Sequence, residues 1–130
     1  MTYKDTILKL FELQKFGMKF GLDSMQLILK KLSNPERGGT FVHVAGTNGK
    51  GSTLAFLASI LRLSGYKTGL YTSPHLVSFR ERIQLDGVLL SEEDVIELAS
   101  IIWKATDPEH PPTFFEFVTA MAFVYFKEKG

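Results

Sequence analysis

The stretch AGTNGKGST, from Ala45 to Thr53, sets three glycines around a lysine and closes on two hydroxyls. Those residue types could hold phosphate. Gly46, Gly49 and Gly51 let backbone N–H groups turn inward and approach an anion closely. Lys50 is a point charge suited to terminal phosphates, and Ser52 or Thr53 offers a hydroxyl to phosphate or to Mg2+. Thr47 and Asn48 complete the loop between the first two glycines. The spacing departs twice from the common G-x-x-x-x-G-K-[ST] pattern. Only two residues separate Gly46 from Gly49, and Gly51 follows Lys50 where Ser or Thr is usual. The alternative is a tight strand-to-helix turn. That turn explains one or two glycines. It does not explain a lysine at the mouth of an apolar helix, where an acid suits the dipole better.

The elements around the loop decide how it is held. Phe41 to Ala45 is continuously apolar and β-rich, which predicts a strand buried on both faces. Ser52 to Ser64 has helical spacing, with Leu54, Leu57, Ala58 and Leu61 on one face and Phe56, Ile60 and Leu63 on another. Such a helix is expected to be packed on most sides, and Gly65 ends it. Lys67 to Tyr71 is a second strand, with Thr72-Ser73-Pro74-His75 as a loop at its carboxyl end. A strand–helix–strand crossover of this kind is parallel and right-handed. It puts both carboxyl ends at one sheet edge, where ligands bind in open α/β sheets. Gly46 to Ser52 and Thr72 to His75 are therefore expected to face one crevice. Asp86-Gly87, inside Arg82 to Leu90, predicts a small hairpin. The expected fold class is α/β: a P-loop-containing, mostly parallel sheet with flanking helices and that hairpin.

Four further helices are predicted. Ile7, Leu10, Phe11 and Gln14 mark one near Tyr3 to Leu13. Asp23 or Ser24 caps a second, with Met25, Ile28, Leu29 and Leu32 along one face, and Asn34-Pro35 stops it. Ser91-Glu92-Glu93-Asp94 opens a third that reaches Lys104. After a stiff loop with Pro108, Pro111 and Pro112, the last runs from Phe114 to Lys127. Thr113 reads as its N-cap, with Glu116 as capping-box partner. Phe114, Phe117, Met121 and Val124 are its core stripe. His43 reads as a core histidine, and His75 and His110 as solvated ones.

The chain has 130 residues, 45% hydrophobic and 22% charged, which suits one globular domain with a real core. Fifteen basic and fourteen acidic side chains nearly cancel, so no basic field exists to hold nucleic acid. There is no cysteine, which excludes disulfides and thiolate metal sites and fits a cytoplasmic location. Phe114 to Phe126 is the longest nearly apolar run and is too short to span a bilayer. No histidine and carboxylate spacing suggests zinc.

Several segments carry a family resemblance. GTNGKGS, from Gly46 to Ser52, resembles the nucleotide loop of the Mur-ligase superfamily. The extra Gly51 before Ser52 is similar to its folylpolyglutamate synthase/dihydrofolate synthase branch. YTSPHL, from Tyr71 to Leu76, with FRERI, from Phe79 to Ile83, resembles the second loop of that branch. TFFEF, from Thr113 to Phe117, followed by Thr119-Ala120, resembles its pterin-side helix, and Gly21-Leu22-Asp23 also fits. The segments span essentially the whole chain in the family's order.

The resemblance implies an ATP-dependent amide ligase. ATP phosphorylates the γ-carboxylate of a folate, the amine of L-glutamate attacks the acyl phosphate, and some members also accept dihydropteroate. It implies Gly46, Thr47, Asn48, Gly49, Lys50, Gly51 and Ser52 on the ATP phosphates, with Lys50 catalytic. It also implies Ser73 as a Mg2+ ligand and Thr113 against the pterin. The partners expected are these small molecules, with no nucleic acid or membrane, and a monomer when intact. No acid lies at the carboxyl end of either predicted strand, where a Mg2+ ligand is expected. The family keeps that acid, a metal-binding histidine and a carboxyl-terminal domain further on. Residues 1–130 are therefore expected to be the amino-terminal part of the ATP-binding domain, to bind nucleotide weakly or not at all, and to be inactive alone. Two other functions fit the loop: a P-loop kinase or NTPase of another kind, and a non-catalytic nucleotide-binding module.

Overall fold

The computed structural model describes residues 2–16, 23–44, 49–73 and 77–130. In chain order they form α1 (Tyr3–Glu12), a 3-10 turn (Leu13–Phe16), α2 (Asp23–Lys31), α3 (Lys50–Leu63), β1 (Gly69–Tyr71), a second 3-10 turn (Phe79–Arg82), β2 (Ile83–Leu85), β3 (Val88–Leu89), α4 (Glu92–Ala105) and α5 (Phe114–Lys129). They divide into two compact units, one from the chain up to Gly38 together with Glu92–Lys129, the other centred on Gly39–Ser91.

The first unit is helical. Val95, Leu98, Ala99 and Ile102 fall at steps of three and four along α4, and all are buried. Phe114, Phe117, Val118, Met121, Ala122 and Tyr125 do the same along α5, so each helix turns a wide apolar stripe inward. Leu10 of α1 and Met25, Ile28 and Leu29 of α2 close the core, with α1, α2 and α4 all packed on α5. Phe11 stacks on Phe114 with centroids 5.4 Å apart and planes within 6°, and Trp103 tilts against Phe117 at 4.6 Å. Each such side chain contributes about 1.5–3 kcal/mol on burial. Thr2 and Asp5 form a capping box at the start of α1.

The second unit carries the sheet. Its order is β1-β2-β3, antiparallel throughout. Tyr71 stands opposite Ile83, and Gly69 opposite Leu85. Asp86 (φ 51°) and Gly87 (φ 83°) make the turn between β2 and β3, as a two-residue hairpin with both centres at positive φ requires. The α/β class, the flanking helices and the hairpin hold.

Two expectations fail in this unit. The described strands β1, β2 and β3 pair antiparallel, and the parallel pairing expected between Phe41–Ala45 and the strand before Thr72 is not among them. Phe41 to Val44 forms no strand among the described residues. Phe41 is 54% and Val42 61% exposed, and His43 is exposed, not a core histidine. Helix α3, expected to be packed on most sides, has no buried residue. It packs on β1, and a strand of three residues covers only one stripe of a helix. Phe56 (71% exposed), Ile60 and Leu63 (83%) point away.

Candidate functional site

Helix α3 begins at Lys50, two residues earlier than its periodicity suggested, and Gly49 is its N-cap in the left-handed region at φ 76°. That conformation costs a side chain roughly 1–2 kcal/mol and costs glycine nothing. Gly49 offers no side-chain cap. Thr53 N–H is the first to find a helical acceptor, the Gly49 carbonyl at 2.9 Å. The N–H groups of Lys50, Gly51 and Ser52 therefore have no acceptor within the helix. All three residues are exposed.

The charge at this terminus is unusual for the molecule. Helices α1, α2, α4 and α5 each carry an acid in the first turn, as the dipole favours. Helix α3 carries none and starts with Lys50. A lysine, three N–H groups and the positive end of a helix gather at one open spot. A Cβ added to Gly51 would meet nothing within 4 Å. Gly51 is helical, so packing within the described chain does not require glycine there. Gly46, Thr47 and Asn48 lie outside the described residues, as do His75 and Gly21-Leu22.

At its other end α3 is pinned to the hairpin. Arg62 Nη1 donates to the Asp86 carbonyl at 3.1 Å, and Asp86 Oδ1 accepts the Thr68 N–H at 2.7 Å. Between them lies a cleft of about 210 Å3, lined by Ala55, Ala58, Ser59 and Arg62 of the helix and by Thr68, Leu70 and Gln84 of the sheet. From Arg62 back to Lys50 the helix runs roughly 18 Å. Helix α3 packs on β1, and Ser73, two residues beyond the end of β1, is exposed. The cleft itself contains neither Lys50 nor Ser73. Nor does a larger cavity, about 320 Å3, in the helical unit beside Lys9, Trp103 and Pro111.

Thr113 belongs to the helical unit. Its Oγ1 accepts the Glu116 N–H at 3.1 Å while Glu116 Oε1 accepts the Thr113 N–H at 2.8 Å. This is the capping box read from the sequence, and Thr113 is buried in it. Arg82, in a cluster of mixed charge that reads as solvated surface, is half-buried. Its guanidinium lies 5.9 Å over the Phe79 ring, and burial holds its pKa below the usual arginine value despite the neighbouring Tyr71. Among the described residues no group of three or more histidines and carboxylates could hold a metal, and no helix is long and apolar enough to cross a membrane.

No family model matches the chain. The dihydrofolate synthase/folylpolyglutamate synthase of Bacillus subtilis is 43% identical over 119 residues, 88% of this chain. The folylpolyglutamate synthase of Thermotoga maritima superposes with a TM-score of 0.89 at 40% identity over 98% of this chain. The chain belongs to the folylpolyglutamate synthase/dihydrofolate synthase family. It spans 28% of the length of the Bacillus relative and 30% of the Thermotoga structure. A folylpolyglutamate synthase solved with AMPPCP and folate, 30% identical, has a TM-score of 0.90 over 99% of this chain. Folylpolyglutamate synthases are ligases, and this chain is similar to part of one. The Mur-ligase-type α/β fold of the family accounts for helices on a sheet that is incomplete within these residues.

Proposed function

We propose that the chain supplies the phosphate-binding half of an ATP-dependent ligase that joins L-glutamate to the γ-carboxylate of folates, and to dihydropteroate, through an acyl phosphate. The observation that carries this reading is the start of α3: a left-handed glycine, then Lys50, then three N–H groups with no acceptor in the helix. Phosphoryl transfer needs positioning and charge neutralisation more than covalent help, and this terminus offers both. Lys50 would meet the β- and γ-phosphates, Gly46 to Ser52 would wrap them, and Ser73 would hold Mg2+. The hydroxyl of Ser73 is an oxygen donor of the kind Mg2+ takes, one ligand among several that the ion requires. The complex of a relative with AMPPCP and folate supports nucleotide and folate as ligands here. Thr113 can face a pterin only through atoms that its capping box leaves open.

In this reading residues 1–130 are the amino-terminal part of the ATP-binding domain of a cytoplasmic monomer, and ligation also needs an acid and a carboxyl-terminal domain from further sequence. The test is a chimera in which these residues replace the matching segment of the Bacillus relative. Phosphate release that depends on both folate and glutamate is expected. Release without folate would point to an NTPase and sink the proposal. In the same chimera Lys50→Ala is expected to lower kcat on the order of 10²–10³-fold, as loss of a well-aimed donor does, with an unchanged melting profile.

A further inference from the structure

We infer that the cleft between the carboxyl ends of α1 and α4 is a second small-molecule site, and that its ligand is an apolar α-amino acid held by both its carboxylate and its ammonium. The inference does not depend on the phosphate reading of the α3 terminus, which belongs to the other unit.

The chain's single tryptophan supplies the first observation. Trp103 tilts against Phe117, with centroids 4.6 Å apart, and Lys9 Nζ lies over the same ring, 4.4 Å from its centroid. The ring is thus engaged, and the N–H is not. Trp103 Nε1 is closed off from water and has no hydrogen-bond partner among the described residues. Buried donors are nearly always paired, and a buried indole usually finds an acceptor. Trp103 also lines the cleft of about 320 Å3. A ligand that carries an acceptor into the cleft would answer the orphan N–H, drawing Lys9 off the ring to meet the same group.

The other residues lining the cleft define that ligand. Lys9 and Trp103 are donors, and one carboxylate can take both, an oxygen each. Glu12, one turn along α1 from Lys9, is an acceptor, and Thr106 is another. The Thr106 hydroxyl already donates to the Ile102 carbonyl at 2.9 Å, so toward a ligand it is left with its lone pairs. A carboxylate and a hydroxyl oxygen together suit an ammonium, and Glu12 opposes a second negative charge on the ligand. The rest of the lining is apolar: Leu13, Pro108 and Pro111. Locked φ angles make the prolines a wall formed in advance. Lys9 and Glu12 are exposed while Leu13 is 4% exposed, so the charges stand toward solvent and the apolar part of the ligand goes inward. Small-molecule sites run roughly 300–1,000 Å3. This cleft is at the bottom of that range and suits one amino acid of leucine or phenylalanine size, not a nucleotide.

The test titrates the isotope-labelled 130-residue chain with L-leucine and follows the indole N–H resonance, which a single tryptophan makes unambiguous. Binding at about millimolar concentration is expected, with the indole proton moving downfield as it meets the carboxylate and with amide shifts at Lys9 to Leu13 and Trp103 to Thr106. Leucinamide lacks the carboxylate and N-acetyl-leucine lacks the ammonium. Each is expected to bind about tenfold more weakly, the worth of a hydrogen bond to a charged group, and L-glutamate more weakly still. Lys9→Met and Glu12→Gln are expected to lose about the same factor. Trp103→Phe, which keeps a ring and removes the N–H, is expected to lose a similar one, read from the amide shifts. Glu97→Gln, exposed on α4 and outside the cleft, is the control and is expected to change nothing. No shift at about 10 mM leucine, or amide shifts with an unmoved indole proton, would overturn the site. N-acetyl-leucine binding as tightly as leucine would make it a carboxylate site and overturn the amino-acid assignment, and glutamate binding as tightly would overturn the apolar one. Should Trp103→Phe fail to fold, the two exposed positions still decide: if Lys9→Met and Glu12→Gln both bind leucine within about twofold of the parent, less than one hydrogen bond is worth, the inference is wrong.

Discussion

Gly51 is a glycine that the described chain does not need for itself. It sits in the first turn of α3 with helical φ and open space where a Cβ would go. Glycine costs a helix about 0.5–1 kcal/mol relative to alanine. Gly51→Ala should therefore raise stability by about that amount, read from the urea midpoint. It should also weaken tripolyphosphate binding, because a methyl would stand where the anion approaches. A gain in stability with unchanged binding would remove Gly51 from the phosphate site. Thr113 is the opposite case, a candidate ligand residue with a structural task that can be measured separately. Thr113→Ala removes the Oγ1 acceptor of the Glu116 N–H and should cost about 1 kcal/mol, as N-cap losses do. Thr113→Ser keeps the acceptor and should recover most of it. Urea melts of the pair check this without any folate present.

The hairpin and its clamp belong to the next scale. Gly87 has φ 83°, and a Cβ added there would run into Arg62 Nη1. Two penalties then coincide, one from the backbone and one from the clamp. Gly87→Ala should destabilise by more than the roughly 1 kcal/mol that positive φ alone costs a residue with a side chain. Arg62→Ala in the same chain should relieve part of the loss, so a double-mutant cycle in urea should give a coupling of at least about 0.5 kcal/mol. Additive single effects would mean that the guanidinium simply moves aside. Which elements could be read in advance follows from the range of their causes. Asp86-Gly87 was legible because a two-residue turn is decided by its own residues, and Thr113-Glu116 because a capping box spans three positions. Thr2-Asp5 and Ser78-Glu81 carry the same local signal and were readable by the same rule. The exposure of Phe41, Val42 and the outer face of α3 was not, because burial depends on which elements come to lie alongside. The antiparallel return of β2 was hidden for the same reason: strand periodicity carries no direction. The helix after the glycines was legible from its periodicity, but its start at Lys50, two residues earlier, was not.

At the scale of the molecule, alkaline stability should register the helical unit. Burial, then the charges of Asp94 and Glu128, hold the Tyr125 hydroxyl above the usual tyrosine pKa. A group raised in the folded state contributes stability that is complete below its unfolded pKa, about 10, and is lost as pH rises through the folded value. The melting temperature should therefore fall as pH climbs past about 10, and Tyr125→Phe should flatten that part of the profile. An identical alkaline slope in the variant would assign the loss elsewhere. Membership of both chain ends in that unit also sets an order of events during synthesis. Residues 39–91 are continuous and leave the ribosome as one piece. Residues up to Gly38 belong with Glu92–Lys129, so α1 and α2 emerge long before α4 and α5, the helices that pack on them. At roughly 5–20 residues per second, their apolar faces wait several seconds for a partner. Pulse proteolysis of stalled nascent chains should find the amino-terminal helices open to cleavage until α5 has cleared the exit tunnel, and protected soon afterwards.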